Sequence, residues 1–259
     1  MLPDALDAVE LGSSLKGAAD QQFSQFDMAR ITNFPLGLAA FVDFASAWGD
    51  PLQYPGGAAG GSHPGNPAVH HVRYEKRAAE RGELHALQGP LALHSAHSLR
   101  EPRPRFFAML MVNAGWQDGP PGTNGESLLV RWRDVLARFS ADDVDIEPLR
   151  GRQPYPGGRD LDLIYPLSSP RDEFDLGVRM KYDLRPHWVE SFGESSTHVR
   201  ALDAFAERAA SSAHQLGLRD GELVIVDNDR WGHGRRSVRG EREKSSLPNP
   251  RELWSITLG

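Results

Sequence analysis

The chain has 259 residues, 39% of them hydrophobic and 25% charged, with a formal net charge of −6. It can bury a core, and its acidic balance argues against a nucleic-acid surface, which needs a clustered basic patch. Cysteine is absent, which excludes disulfides, thiolate metal sites and cysteine nucleophiles, so any metal must be held by nitrogen and oxygen, for which ten histidines are available.

In chain order, the start MLPDALDAVELGSS is acidic and lacks the basic-then-apolar pattern of a signal peptide. No apolar run reaches the roughly 18–20 residues of a membrane span. A cytoplasmic protein without membrane or nucleic-acid partners is the expectation. Residues 34–49 place Leu38, Phe41, Val42 and Ala45 on one helical face, with Gly49 as a stop. Residues 53–67 read as a Gly/Pro-rich surface loop. Residues 86–96 and 105–114 read as strands, and the second, RFFAMLMVNA, is apolar enough to be buried on both faces. A turn-rich stretch, GWQDGPPGTNGE, leads to a helix around 131–139 with Trp132, Val135, Leu136 and Phe139 on one face. Residues 147–172 read as irregular, and LGVRMKYD at 176–183 alternates like a strand. A helix is predicted over 199–216, with Leu202, Phe205, Ala209, Ala213 and Leu216 on one side and Gly217 as its cap. ELVIVDN and ELWSITL are further strands. Strands dominate and do not alternate with helices as in a doubly wound sheet. The fold class is mainly β with flanking helices (α+β), closed or sandwiched. We expect one domain over 1–259, with residues 1–80 packing on a core at 85–259 and an insertion at about 145–190.

Two histidines stand at strand ends: His94 in PLALHSAHS and His233 in VIVDNDRWGHGRR. Strands that bring these ends together would aim both imidazoles at one point, and neutral imidazole suits iron, zinc, copper or nickel. The segment GELVIVDNDRWGHGRR resembles the distal metal-ligand segment of the clavaminate synthase-like and taurine dioxygenase-like oxygenases, which depend on iron(II) and 2-oxoglutarate. The order of the earlier histidine, the apolar strand, the turn NGES and a later arginine fits as well. The resemblance spans roughly residues 85–259. It implies a double-stranded β-helix (jelly roll, cupin-like), with His94 and His233 as metal ligands. It also implies that Arg251 and Ser127 bind the distal carboxylate of 2-oxoglutarate, as a planar guanidinium does well. Arg235, Arg236, Arg239 and Arg242 are rivals for the arginine.

The family's proximal motif is His-x-Asp or His-x-Glu, whereas this chain reads His94-Ser95-Ala96. Alanine cannot ligate, so the coordination position it leaves has four readings. Water fills it; chloride or bromide fills it, as in the family's radical halogenases, with Ser95 or Ser98 as donor; another side chain fills it; or catalysis is lost. His97 is the nearest such side chain, but it shares a face with His94 only if the strand turns at Ala96. Asp227, Asp229 and Glu101 are more remote. The resemblance implies oxidative C–H chemistry on a small amino-acid-like metabolite. Arg179, Lys181 and Asp183 are candidate anchors, His70 or His71 approaches the pocket, and Trp231 and Trp254 wall it or belong to the core. A zinc hydrolase using His94 and His97, and a non-enzymatic β-barrel binding protein, are the rival classes.

Overall fold

The apolar run of RFFAMLMVNA becomes the central strand β6 (Phe106–Asn113) of a seven-stranded sheet. A computed structural model describes residues 1–54, 61–83, 86–142, 145–238 and 249–259. Around β6, the large sheet contains β1 (Leu6–Asp7), β2 (Met28–Thr32), β3 (Ser62–His63), β4 (Asn66–Arg73), β13 (Leu223–Asp227) and β15 (Glu252–Leu258), in the order β1-β2-β13-β6-β15-β4-β3. A second sheet holds β5 (Leu91–His94), β7 (Ser127–Arg131), β12 (His214–Leu216) and β14 (Trp231–Arg235), in the order β12-β7-β14-β5. The two sheets form the double-stranded β-helix that the sequence led us to expect. The N-terminal segment does more than pack on the core, because β1 to β4 are strands of the large sheet itself.

Side-chain alternation explains why β6 is apolar throughout. Phe107, Met109 and Met111 point between the sheets, where they meet Leu129, Val224, Val226, Trp231 and Leu253. Phe106, Ala108 and Leu110 face the other way, toward helices α2 (Leu15–Phe26) and α3 (Leu38–Ala45), which follow the short helix α1 (Ala8–Leu11) and precede α4 (Lys76–Glu80). A strand buried on both faces has no polar side to show. The outer face of the second sheet is covered by α5 (Trp132–Ala141), α6 (Leu184–Phe192) and α7 (Thr197–Ser212).

Several predicted boundaries move. The strand expected over 86–96 is only Leu91–His94, and the chain turns at 96–99. The strand over 176–183 is only β11 (Leu176–Val178), because α6 begins at Leu184. The helix over 199–216 stops at Ser212: Ala213 turns extended so that β12 can hydrogen-bond along the edge of β7. The stretch 147–172 is not irregular. It holds the hairpin of β8 (Arg152–Tyr155) and β9 (Arg159–Asp162), then β10 (Ile164–Pro166) paired with β11. Within the Gly/Pro-rich loop, residues 55–60 lie outside the described residues.

A buried ionic cluster ties these parts together. Asp27, in left-handed conformation (φ 58°) after α2, receives Arg171 Nη1 at 2.7 Å and Arg131 Nη2 at 2.8 Å. Arg230, in the turn before β14, reaches Asp175 at 3.0 Å and Asp227 at 3.0 Å. The N-terminal helix, the 145–190 segment and the β13–β14 turn are thereby held in register. Among the described residues, no helix is long and apolar enough to cross a membrane.

Candidate active site

β14 pairs with β5 so that His233 lies directly opposite His94, and the ring centroids are 4.2 Å apart. The convergence follows from strand pairing, which sets two residues far apart in sequence side by side. The Nδ1 of His94 donates to the Ala92 carbonyl at 2.9 Å. That bond places the proton on Nδ1 and leaves the Nε2 lone pair for a metal, the usual way a ligating imidazole is oriented. His233 stacks on Phe107 at 4.2 Å, and its Nδ1 is buried without a hydrogen-bond partner. Burial pushes His94 down to about 4, and burial followed by the neighbouring His94 and His97 holds His233 well below the ordinary histidine value. Both rings are therefore neutral, as metal ligation requires.

Ala96 is buried, and Asn228 holds its main chain at both polar atoms. The Ala96 N–H donates to Asn228 Oδ1 at 2.8 Å, and Asn228 Nδ2 donates to the Ala96 carbonyl at 3.0 Å and to the Pro104 carbonyl at 2.9 Å. The turn at 96–99 sets His97 in left-handed conformation (φ 45°), against the edge of Tyr54 at 4.9 Å. Burial, then the charge of Arg100, pushes His97 down to about 4. Among the described residues, no group of three or more His, Asp or Glu side chains converges to hold a metal, so His97 does not complete a three-ligand set. The remoter candidates are engaged elsewhere. Asp227 pairs with Arg230, Asp229 with Arg103 at 3.2 Å, and Glu101 with Arg179.

The two histidines open on a cavity of about 850 Å³ that Ser127, Arg235 and Arg251 also line. Arg251 is 5% exposed, and no carboxylate among the described residues pairs with it. Burial, then the charge of Arg235, pushes it down to about 9. A buried guanidinium without a counter-charge suits an anionic ligand. The turn NGES makes room for it: Gly125 has φ +71°, and a Cβ there would lie 2.9 Å from Arg251 Cδ. Of the rival arginines, Arg235 spends Nη2 on the Leu87 and Gly89 carbonyls at 2.7 and 2.9 Å, and Arg236 is exposed beside Gln215. Arg239 and Arg242 lie outside the described residues.

The predicted substrate anchors are placed less favourably. Lys181 lines the cavity but pairs with Asp183, and Arg179, which is not in the lining, pairs with Glu101, which is. His70 lines the cavity, whereas His71 turns the other way to Glu252 at 2.7 Å, as alternation in β4 requires. Trp231 is core, with Nε1 donating to the Phe26 carbonyl, and Trp254 packs on the helix-covered face of the large sheet. Ser95 spends its hydroxyl on the Val178 carbonyl at 2.7 Å, while Ser98 is a buried residue of the lining. Sequence reasoning had Asn228 only as part of the distal segment VIVDNDRWGHGRR, without its bonds to Ala96, and missed Tyr54, Arg100 and Arg159. The signal for Asn228 was the Asp-Asn that ends the strand before His233; Tyr54, Arg100 and Arg159 come from segments distant in sequence.

The donor set fits iron(II) with 2-oxoglutarate: two neutral imidazoles with at least one buried unpartnered nitrogen, and one buried unneutralised arginine on the same cavity. The family model described as "Taurine catabolism dioxygenase TauD, TfdA family" matches residues 4–255. No curated sequence matches significantly. Among solved structures, asparagine oxygenase (AsnO) is similar at a TM-score of 0.67 and 18% identity, covering 95% of this chain and 78% of that one. The non-heme iron oxygenase OrfP, in complex with iron and alpha-ketoglutaric acid, gives 0.63 and 15%, covering 97% and 81%. OrfP with iron, succinate and (3S)-hydroxy-L-Arg gives 0.65 and 14%, covering 97% and 82%.

Proposed function

Since the chain belongs to the TauD/TfdA dioxygenase family, we propose that it uses His94 and His233 to hold iron(II), and Arg251 with Ser127 to hold 2-oxoglutarate, for oxidation of a C–H bond in a small amino-acid-like metabolite. The observation that carries this reading is the pairing of His94 and His233 across two strands, on the same cavity as a buried arginine with no carboxylate partner among the described residues. The asparagine and hydroxyarginine named for the similar structures support the substrate class. When bound, iron(II) with 2-oxoglutarate and dioxygen supplies the oxidant for C–H cleavage, the keto acid losing carbon dioxide to become succinate. The protein's own part is positioning. Arg251 presents its planar fork to the distal carboxylate, and the Ser127 hydroxyl lies on the same wall. Phe107 fixes the plane of the His233 ring. Phe107, Met109 and Leu253 exclude water from the inner end of the cavity, which strengthens every electrostatic contact there. No side chain is required as acid or base.

A second reading concerns the position that Ala96 leaves. With its main chain fixed by Asn228 and no third ligand among the described residues, a chloride or bromide ion is a candidate occupant, and halide transfer to the substrate a candidate outcome. One experiment tests both readings. Anaerobic addition of iron(II) and 2-oxoglutarate is expected to give a visible charge-transfer band that His94→Ala and His233→Ala abolish. Aerobic incubation with an amino-acid library in chloride or bromide is expected to give succinate, with product mass reporting added oxygen or added halogen. A wild-type protein with neither band nor succinate overturns the assignment.

A further inference from the structure

We propose that Arg100 and Arg159 form an oxyanion subsite at the rim of the cavity and receive the carboxylate of the substrate; this rests on the reading of the cavity as a substrate chamber. The argument is one of charge pairing along the lining. The acidic residues there are Glu83 and Glu101, and each faces a cation of its own, Arg81 at 2.6 Å and Arg179. Of the cations, Lys181 is paired with Asp183, Arg235 lies deep and is bound to two carbonyls, and Arg251 is committed to the cosubstrate. Arg100 and Arg159 remain. Each donates one hydrogen bond to a main-chain carbonyl, Arg100 Nη1 to Gln53 at 2.8 Å and Arg159 Nη1 to Leu99 at 3.0 Å. Neither has a carboxylate partner among the described residues.

Position supports the same assignment. Leu99, which anchors Arg159, directly precedes Arg100 in the chain, so the β8–β9 hairpin brings a second guanidinium to the turn that follows His94. A guanidinium has five N–H donors, and one main-chain bond leaves four while restraining the side chain. Two restrained guanidinium groups on one rim match the several acceptor sites of a carboxylate. Beside them Tyr54 stacks on His70 at 4.1 Å and meets His97 edge-on, giving a flat aromatic wall for the body of the ligand. A substrate held by its carboxylate at the rim and laid along this wall extends toward His94 and His233.

The test uses L-amino acids, N-acetyl-L-amino acids and straight-chain carboxylic acids, each matched with its primary carboxamide. Binding is measured by calorimetry on the cobalt(II)-loaded protein, with and without 2-oxoglutarate. At least one acid is expected to bind about tenfold or more tightly than its carboxamide, the equivalent of one charge-assisted contact. Arg100→Gln and Arg159→Gln are each expected to erase that preference by weakening the acid and not the carboxamide. If no acid in the set is preferred over its carboxamide, including the case in which neither binds, the subsite is refuted. Equal weakening of acid and carboxamide in the variants refutes it as well. Titration of wild-type protein with 2-oxoglutarate alone reports separately on the underlying oxygenase reading, because the acid–carboxamide comparison is also read without it.

Discussion

Replacing Asn228 tests whether the proposed metal site depends on a residue that does not line the cavity. Asn228 is fully buried and makes three side-chain hydrogen bonds, accepting from Ala96 N–H and donating to the Ala96 and Pro104 carbonyls. Asn228→Ala leaves all three groups without their partner. At about 1–3 kcal/mol for each buried group left unsatisfied, the loss comes to at least about 3 kcal/mol. For a chain of this size that lowers Tm by about 6–12 °C. Asn228→Asp is the sharper variant: it keeps the acceptor for Ala96 N–H but turns a carboxylate oxygen toward two carbonyls. Because Ala96 lies two residues from His94, both variants should also displace the His94 imidazole and weaken cobalt(II) binding by about 10–100-fold, as loss of an orienting neighbour does. Cobalt(II) affinity and its visible bands are measured beside thermal melts. Phe139→Leu, in the helix layer far from the site, serves as a control that lowers Tm alone. Variants that melt early yet bind cobalt(II) like wild type would refute the reasoning.

Four further outcomes follow from the geometry. Arg251→Met removes a buried cation that has no carboxylate partner among the described residues, so the cosubstrate-free protein should melt no lower than wild type, while the rise in Tm caused by 2-oxoglutarate disappears; undiminished stabilisation by 2-oxoglutarate would contradict the assignment. His94 folds with its value pushed down to about 4 from 6.5. The unfolded chain therefore binds more protons between those values, and His94 contributes a loss of stability to the metal-free protein as pH falls from 6.5 to 4. Melts of His94→Gln should show a shallower slope across that window, and an unchanged slope counts against it. Ala96→Asp supplies a carboxylate at the open position and should raise cobalt(II) affinity while abolishing any bromide-induced shift of the anaerobic iron(II)–2-oxoglutarate band; equal bromide shifts in both proteins would locate the halide elsewhere. Asp27→Asn leaves Arg131 and Arg171 without their buried counter-charge and should cost about 3–5 kcal/mol by denaturant unfolding, the scale of a broken buried pair; a loss below 1 kcal/mol would show the cluster to be solvated.

Legibility in the sequence followed the range of the interaction involved. The hydrophobic pattern of β6 and the face of α5 are local, and both were read within a few residues of their observed ends. His94 and His233 were found because each sits at the end of an apolar run, so a local signal marked a partner in a distant contact. Boundaries failed where tertiary bonding overrode periodicity. Leu216 continues the helical spacing of α7, yet its backbone serves the edge of β7. Lys181 and Asp183 look like substrate anchors until the folded chain shows them paired with each other. Charge pairing of this kind cannot be read from spacing, and for that reason Arg100 and Arg159 carried no signal. Their meaning depends on which carboxylates come near, and residues from 53 to 181 decide it.

The alanine at position 96 changes the charge balance of the whole cavity. A site with a ligating carboxylate combines iron(II), the dianion 2-oxoglutarate and Arg251 with one further negative charge, and the sum is neutral. Without the carboxylate the same set carries a net positive charge in a chamber walled by Phe107, Met109 and Leu253, where low polarity makes an uncompensated charge costly. Lining carboxylates do not offset it, because Glu83 and Glu101 already face arginines. Arg100 and Arg159 add to the imbalance. A cavity of this kind attracts anions over distance and discriminates against cationic substrates. It follows that the missing ligand and the basic rim act in the same direction. With Arg100 and Arg159 counted as well, an anion at the open coordination position or an anionic group on the substrate reduces the positive charge without cancelling it, so both can be held at once. On the proposed assignments, the arginines at the rim and the alanine at position 96 therefore favour anions together.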